Sequence, residues 1–137
     1  MNIKSFCFTL MMVLGVPAIA EAKPILTVYT YDSFAPAGGP GPEIEKTFEE
    51  TCGCDLQFIA LDSSIGILGR VQLEGVTSKA DIVLGLDTNL MATARQTGLF
   101  APHGTSLSGR TVLPTAFEDD VFVPFDWGHF AFVYDSS

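Results

Sequence analysis

Apolar and polar positions alternate along this chain in blocks whose period changes in a regular order. Residues 25–31, Ile-Leu-Thr-Val-Tyr-Thr-Tyr, are β-branched or aromatic apart from Leu26 and lie between Pro24 and Asp32, which predicts a first strand. Pro42 then suits the first turn of a helix, and Glu43 and Glu45 carry the sign that a helix N-terminus favours. Ile44, Phe48 and Cys52 recur at a spacing of four on one face, and Gly53 closes the helix. Leu56 to Leu61 predicts a second strand. Ser63 is placed to cap a second helix on which Ile65, Leu68 and Gln72 with Val71 mark one face, although Gly66 and Gly69 each weaken it by about 1 kcal/mol.

Ala80 to Leu86 is a continuous apolar run, the pattern of a strand covered on both faces of a parallel sheet. Asp87 or Thr88 then caps a helix carrying Leu90, Met91 and Ala94, and Gly98 ends it. Periodicity is lost from Ala101 to Asp120. Val121 to Phe125 and Phe130 to Tyr134 read as strand-like segments broken at Asp126-Trp127-Gly128. The order β-α-β-α-β predicts an α/β fold, a doubly wound parallel sheet with right-handed crossovers.

Such a sheet binds small molecules beyond the carboxyl ends of its strands. The corresponding turns are Tyr31-Asp32-Ser33, Asp62-Ser63-Ser64, Asp87-Thr88-Asn89 and Asp126-Trp127, and each offers a carboxylate. A rim of this kind suits a cationic heterocycle, with Tyr31 and Trp127 giving π faces. For any one of Asp32, Asp62, Ser63, Asp87 or Thr88, a helix cap is nevertheless the more ordinary role.

The amino terminus carries a different pattern. Lys4 precedes an apolar run from Phe6 to Val16, Pro17 breaks it, and small residues follow at Ala18, Ala20 and Ala22. This is the layout of a secretory leader cleaved after Ala20 or Ala22, and its core is shorter than the roughly 20 residues that span a bilayer. Cys7 lies inside the apolar run without a lipobox, so no lipid anchor is expected. Removing residues 1–22 from the 137 leaves 115, enough for one modest core.

A formal charge of −9 disfavours nucleic acid or an anionic membrane as a partner and weakly favours a cationic ligand. Cys52 and Cys54 survive export, and an oxidising compartment favours a local disulfide across Gly53. Free thiols, a metal pair and a redox motif are the rival readings. The metal pair is poorly supported because the histidines, His103 and His129, have no ligand spacing to the cysteines. Cys-x-x-Cys at a helix start is the commoner redox arrangement, whereas this pair sits at a helix end. No nucleophile elbow and no histidine with an acid partner is visible, and His129 reads as a packed or hinge residue. An enzyme is therefore not expected, and neither a cofactor nor a metal.

Lys23 to Phe34, the Gly39-Pro40-Gly41-Pro42 turn, Ser78 to Asp87 and Phe122 to Asp126 occur in an order that resembles the periplasmic thiamine-binding proteins of bacterial ABC importers. The resemblance implies a type II periplasmic binding protein lobe over 23–120, with 121–137 as the approach to a hinge and the second lobe absent, hence a fragment. It implies capture of thiamine and its phosphates in the periplasm, delivery to an inner-membrane permease, and a monomer. In that family an acidic residue and a glycine in the turn after the second strand contact the ligand. The matching positions here are Ser63 and Ser64, with Asp62 one residue earlier to supply charge. Tyr31 is kept, while the family's aromatic residue before the Gly-Pro-Gly-Pro turn is replaced by the Ala37-Gly38-Gly39 stretch. The ligand-binding candidates are thus Tyr31, Asp62, Ser63 and Ser64. Alternatives are the same fold binding a polyamine or ferric ion, or a truncated product without function.

Overall fold

The computed structural model describes residues 22–106, 117–128 and 131–135. The expected leader, apart from Ala22, lies outside the described residues, as do His129 and Phe130. Three parallel strands, β1 (Ile25–Tyr31), β2 (Asp55–Leu61) and β3 (Ile82–Val83), form a sheet in the order β2-β1-β3. Helix α1 (Gly41–Cys52) joins β1 to β2. Helix α2 (Ser64–Glu74), followed by a 3₁₀ turn at Gly75–Thr77, joins β2 to β3, and α3 (Met91–Gln96) comes last.

The strand period of two sorts the core between the two helices. Tyr29 packs with Ile67 and Val71 of α2, and Tyr31, Leu61 and Val83 extend this cluster. Leu26, Val28, Leu56, Phe58 and Ile82 share the opposite side with Ile44 and Phe48 of α1. A central β1 whose connections run to either side therefore has one helix per face, which is the doubly wound arrangement. The inner face of α2 is Ile67, Leu68 and Val71, and not the face through Ile65 and Gln72 that the sequence predicts, both of which are exposed. Ile67 is fully buried, a placement that contributes about 1.5–3 kcal/mol. The buried Tyr29 hydroxyl is satisfied by the Glu74 carboxylate at 2.9 Å, and Arg70 and Ser78 share that carboxylate.

Local signals place the helix ends. Gly53 takes the left-handed conformation, φ 65°, that ends α1. Ser63 is extended and its Oγ accepts the Gly66 N–H at 3.2 Å, capping α2. The third strand is shorter than the apolar run from Ala80 to Leu86 predicts. At its start the Asp81 carboxylate takes the Thr27 N–H at 2.8 Å, where a strand carbonyl would otherwise serve. At its end Leu84 N–H still reaches the Tyr29 carbonyl at 2.9 Å, but Gly85 turns away with φ 103°.

Val121 to Phe125 forms no strand, and neither do residues 131–135. The aromatic residues of the first segment pack instead of pairing: Phe122 lies 5.8 Å from Phe100, and Phe125 lies 5.7 Å from Phe34. Asp119 accepts the N–H groups of Val121 and Phe122, each at 2.8 Å, and pairs with Arg95, so the segment is fastened by a side chain to α3. His103 belongs to the same clip: its Nδ1 accepts from Thr105 N–H at 2.8 Å and its Nε2 meets the Asp119 carbonyl at 3.1 Å. Among the described residues no helix is long and apolar enough to cross a membrane.

Candidate functional site

Parallel pairing aligns the strand ends, because Tyr31 stands opposite Leu61 in the β1–β2 register. The Tyr31 turn and the Asp62-Ser63-Ser64 turn therefore emerge side by side, and the Gly85 turn leaves from the other side of β1. This brings the predicted candidates to one edge of the sheet. Their roles there are unequal.

Tyr31 is half-buried, with its ring edge-on to Phe34 at a centroid distance of 5.7 Å. Its other neighbour is Gly85, where any Cβ would collide with the Tyr31 ring carbons Cδ1 and Cε1. Glycine is required at that position twice over, for the close approach and for the positive φ. Burial pushes the Tyr31 phenol pKa up, and the nearby Asp126 carboxylate pushes it the same way. Tyr31 is thus a neutral phenol, with Asp126 as a carboxylate neighbour.

Ser63 is already engaged. Its hydroxyl donates to Asp62 Oδ1 at 3.2 Å and accepts from Gly66, so its proton and one lone pair are committed to the start of α2. Asp62 is exposed and leans over Gly66, so its charge faces both the helix start and solvent. Ser64, at the first position of α2, is half-buried with no hydrogen-bond partner among the described residues. Of the two serines, Ser64 has the free hydroxyl. Asp87 is likewise committed, its Oδ1 accepting the N–H groups of Asn89 at 2.8 Å and Leu90 at 3.2 Å. The expected helix cap is real for Ser63, whereas Asp87 fastens the turn 88–90 that precedes α3, and the helix itself starts after Leu90 with no side-chain cap.

Two features of the edge were missed in the sequence. Phe34 is fully buried and touches Tyr31, Phe58 and Phe125, so it anchors the Tyr31 turn to the α1 side of the sheet. Gly85 is the contact surface for Tyr31, and a lone glycine inside an apolar strand pattern is the signal that indicates close backbone approach.

Two hollows lie elsewhere. A depression of about 400 Å³ is lined by Glu43, Ile44, Thr47, Phe48 and Thr51 on α1. An apolar groove of about 180 Å³ runs between α1 and the sheet. Neither includes a candidate ligand residue. No group of three or more His, Cys, Asp or Glu among the described residues is arranged to hold a metal ion.

No protein-family model matches the chain. It is 50% identical over 131 residues to a thiamine-binding periplasmic protein of Escherichia coli (strain K12), covering 96% of this chain and 39% of that one. It is 54% identical over 120 residues to the protein of the same name in Salmonella typhimurium, covering 88% and 36%. The namesake in Haemophilus influenzae is 43% identical over 121 residues, covering 88% and 36%. A solved structure described as a periplasmic thiamin binding protein superposes with a TM-score of 0.72 at 50% identity, covering 80% of this chain and 34% of that chain. The chain spans less than two-fifths of the length of these relatives. By sequence and by fold it is homologous to a part of the thiamine-binding periplasmic proteins.

Proposed function

We propose that this chain forms the ligand-facing edge of one lobe of a periplasmic solute-binding protein that captures thiamine and its phosphate esters for an ABC permease, with no catalytic step. The observation that carries the reading is the 50% identity to a thiamine-binding periplasmic protein across nearly the whole chain. Thiamine offers a flat aminopyrimidine, a thiazolium cation and a hydroxyethyl arm. Tyr31 supplies a neutral aromatic face to stack on or to attract the cation. Asp126 beside the ring and Asp62 on the neighbouring turn supply negative charge, and the unpartnered Ser64 hydroxyl is available to the hydroxyethyl or phosphate oxygen. Ser63 acts through the α2 cap rather than by direct contact. The formal charge of −9 steers a cation toward the protein and discourages anionic polymers.

One edge of a single sheet covers only part of a ligand, so the remaining length of the relatives is needed to enclose it. Calorimetry with thiamine tests this on the mature chain and on a chimera in which the rest of the Escherichia coli relative follows it. The chimera should bind at least about a hundredfold more tightly than the chain alone, since roughly half of the enclosing surface is restored. Replacing Tyr31 by Ala in the chimera should weaken binding by about 1–3 kcal/mol. Binding of a polyamine or ferric ion in place of thiamine would overturn the cargo, and an unchanged affinity in the Tyr31→Ala chimera would remove this edge from the site.

A further inference from the structure

The Cys52–Cys54 disulfide closes a ring across a single residue at the junction of α1 and β2. Its two sulfurs are not equivalent. Cys52 is exposed at the last position of α1, whereas Cys54 is only 7% exposed. The Cys54 backbone N–H donates to Cys52 Sγ at 3.1 Å. We propose that this disulfide is a thiol-exchange site, opened at Cys52 by an external dithiol while the fold stays intact.

The asymmetry sets the direction of the reaction. A thiolate of the dithiol attacks the exposed Cys52 sulfur, forming a mixed disulfide as the Cys52–Cys54 bond breaks. The electron pair leaves on Cys54 Sγ, which takes a proton from water. The second thiolate of the reagent then attacks its partner sulfur, releasing Cys52 as a thiolate and leaving the reagent as an oxidised disulfide. Two electrons pass from the dithiol to the cystine. A lower leaving-group pKa speeds the second step, and the Cys54 N–H aimed at Cys52 Sγ stabilises that leaving thiolate against the unfavourable end of the α1 dipole.

Opening the ring costs the fold little, because a loop this short removes little entropy from the unfolded chain. Other contacts hold the junction in place. The Glu49 carboxylate accepts the Leu56 N–H at 2.8 Å, and Asp55 N–H donates to the Pro24 carbonyl at 2.9 Å. The cysteines also sit at the start of β2, so seven strand residues, roughly 20 Å, separate them from the Tyr31 edge. Exchange at Cys52 is thus independent of ligand capture.

The test is reduction of the mature chain by dithiothreitol in native buffer, quenched by alkylation and read by mass spectrometry. The second-order rate should fall within about tenfold of that for an unstructured peptide containing Cys-Gly-Cys, with unchanged far-UV circular dichroism. Oxidised glutathione added to the reduced chain should form its adduct on Cys52. In the single variants, the thiol left by Cys54→Ser should react with a disulfide reagent at least about tenfold faster than the thiol left by Cys52→Ser. Reduction that proceeds only when urea unfolds the chain would overturn the proposal, as would loss of the dichroism signal on reduction or an adduct on Cys54. The wild-type rate decides the matter even where a variant fails to fold.

Discussion

Gly85→Ala is the sharpest probe of the strand-end edge, because the structure assigns it two separate costs. An L-residue at φ 103° is strained by about 1–2 kcal/mol. The added Cβ also meets the Tyr31 ring, and pushing that ring off its contacts with Phe34 costs about 1–3 kcal/mol as overpacking. The total of about 2–5 kcal/mol is a large fraction of the usual stability of a small domain. In urea it corresponds to a drop of at least about 1 M in the unfolding midpoint. The two parts can be separated by a double-mutant cycle with Tyr31→Ala. With the ring gone, the collision is relieved and only the backbone cost of the Gly85→Ala change remains, so the two substitutions should couple by at least about 1 kcal/mol. A loss below about 0.5 kcal/mol for Gly85→Ala, or strictly additive effects in the cycle, would refute the close packing of Tyr31 on Gly85.

The two serines should separate by assay. Ser63→Ala should cost about 1 kcal/mol of stability in a urea titration through loss of the α2 cap, whereas Ser64→Ala should leave stability within about 0.5 kcal/mol and weaken thiamine binding by the chimera; the reverse assignment would show that Ser63 is the contact. Acid should also destabilise the chain through identifiable carboxylates. Arg70, with help from Ser78 and Tyr29, holds the Glu74 pKa down to about 2, and the N–H groups of Phe122 and Val121 together with Arg95 hold Asp119 down to about 2. Both pKa values are depressed below the ordinary 4.5 and 3.8, so these groups stabilise the fold above that range, and their contribution is lost as pH falls toward 2. Melting temperature should therefore decline between about pH 4.5 and 2, and Glu74→Gln should flatten part of that decline; a flat profile in the wild-type chain would contradict the ion-pair geometry.

What was legible in the sequence follows from how local each signal is. The Ser63 cap and the Gly53 terminus are written within one or two helical turns, and the structure reproduces them, whereas the Ile44 and Phe48 face of α1 meets the sheet but stays partly open to solvent. The extent of β3 was not legible, because its ends are set by distant partners. Asp81 substitutes a carboxylate for a strand carbonyl at Thr27, and Gly85 leaves the strand where the Tyr31 ring lies. Val121 to Phe125 has the composition of a strand, yet that composition measures fitness for a half-buried surface more than a commitment to a ladder. Phe122 uses it against Phe100 and beneath the Arg95 guanidinium, 5.3 Å from the ring centroid.

The same distinction governs the candidate site. Carboxylates and hydroxyls at strand-to-helix turns are visible in sequence, but whether each is already committed to the backbone depends on geometry a few residues away. Ser63 and Ser64 are adjacent and chemically identical, and only the first has its hydroxyl taken by Asp62 and Gly66. A ligand therefore has most to gain from the second. Tyr31 shows the converse: its aromatic face was legible as chemistry, while its orientation is held by Phe34 and by Gly85, far along the chain. Fixing a π face from two sides before a ligand arrives reduces the ordering cost of binding. An edge so pre-set can contribute affinity only once the ligand's opposite side is covered as well, which is why the chimera, and not the chain alone, is the molecule in which Tyr31 and Ser64 should register.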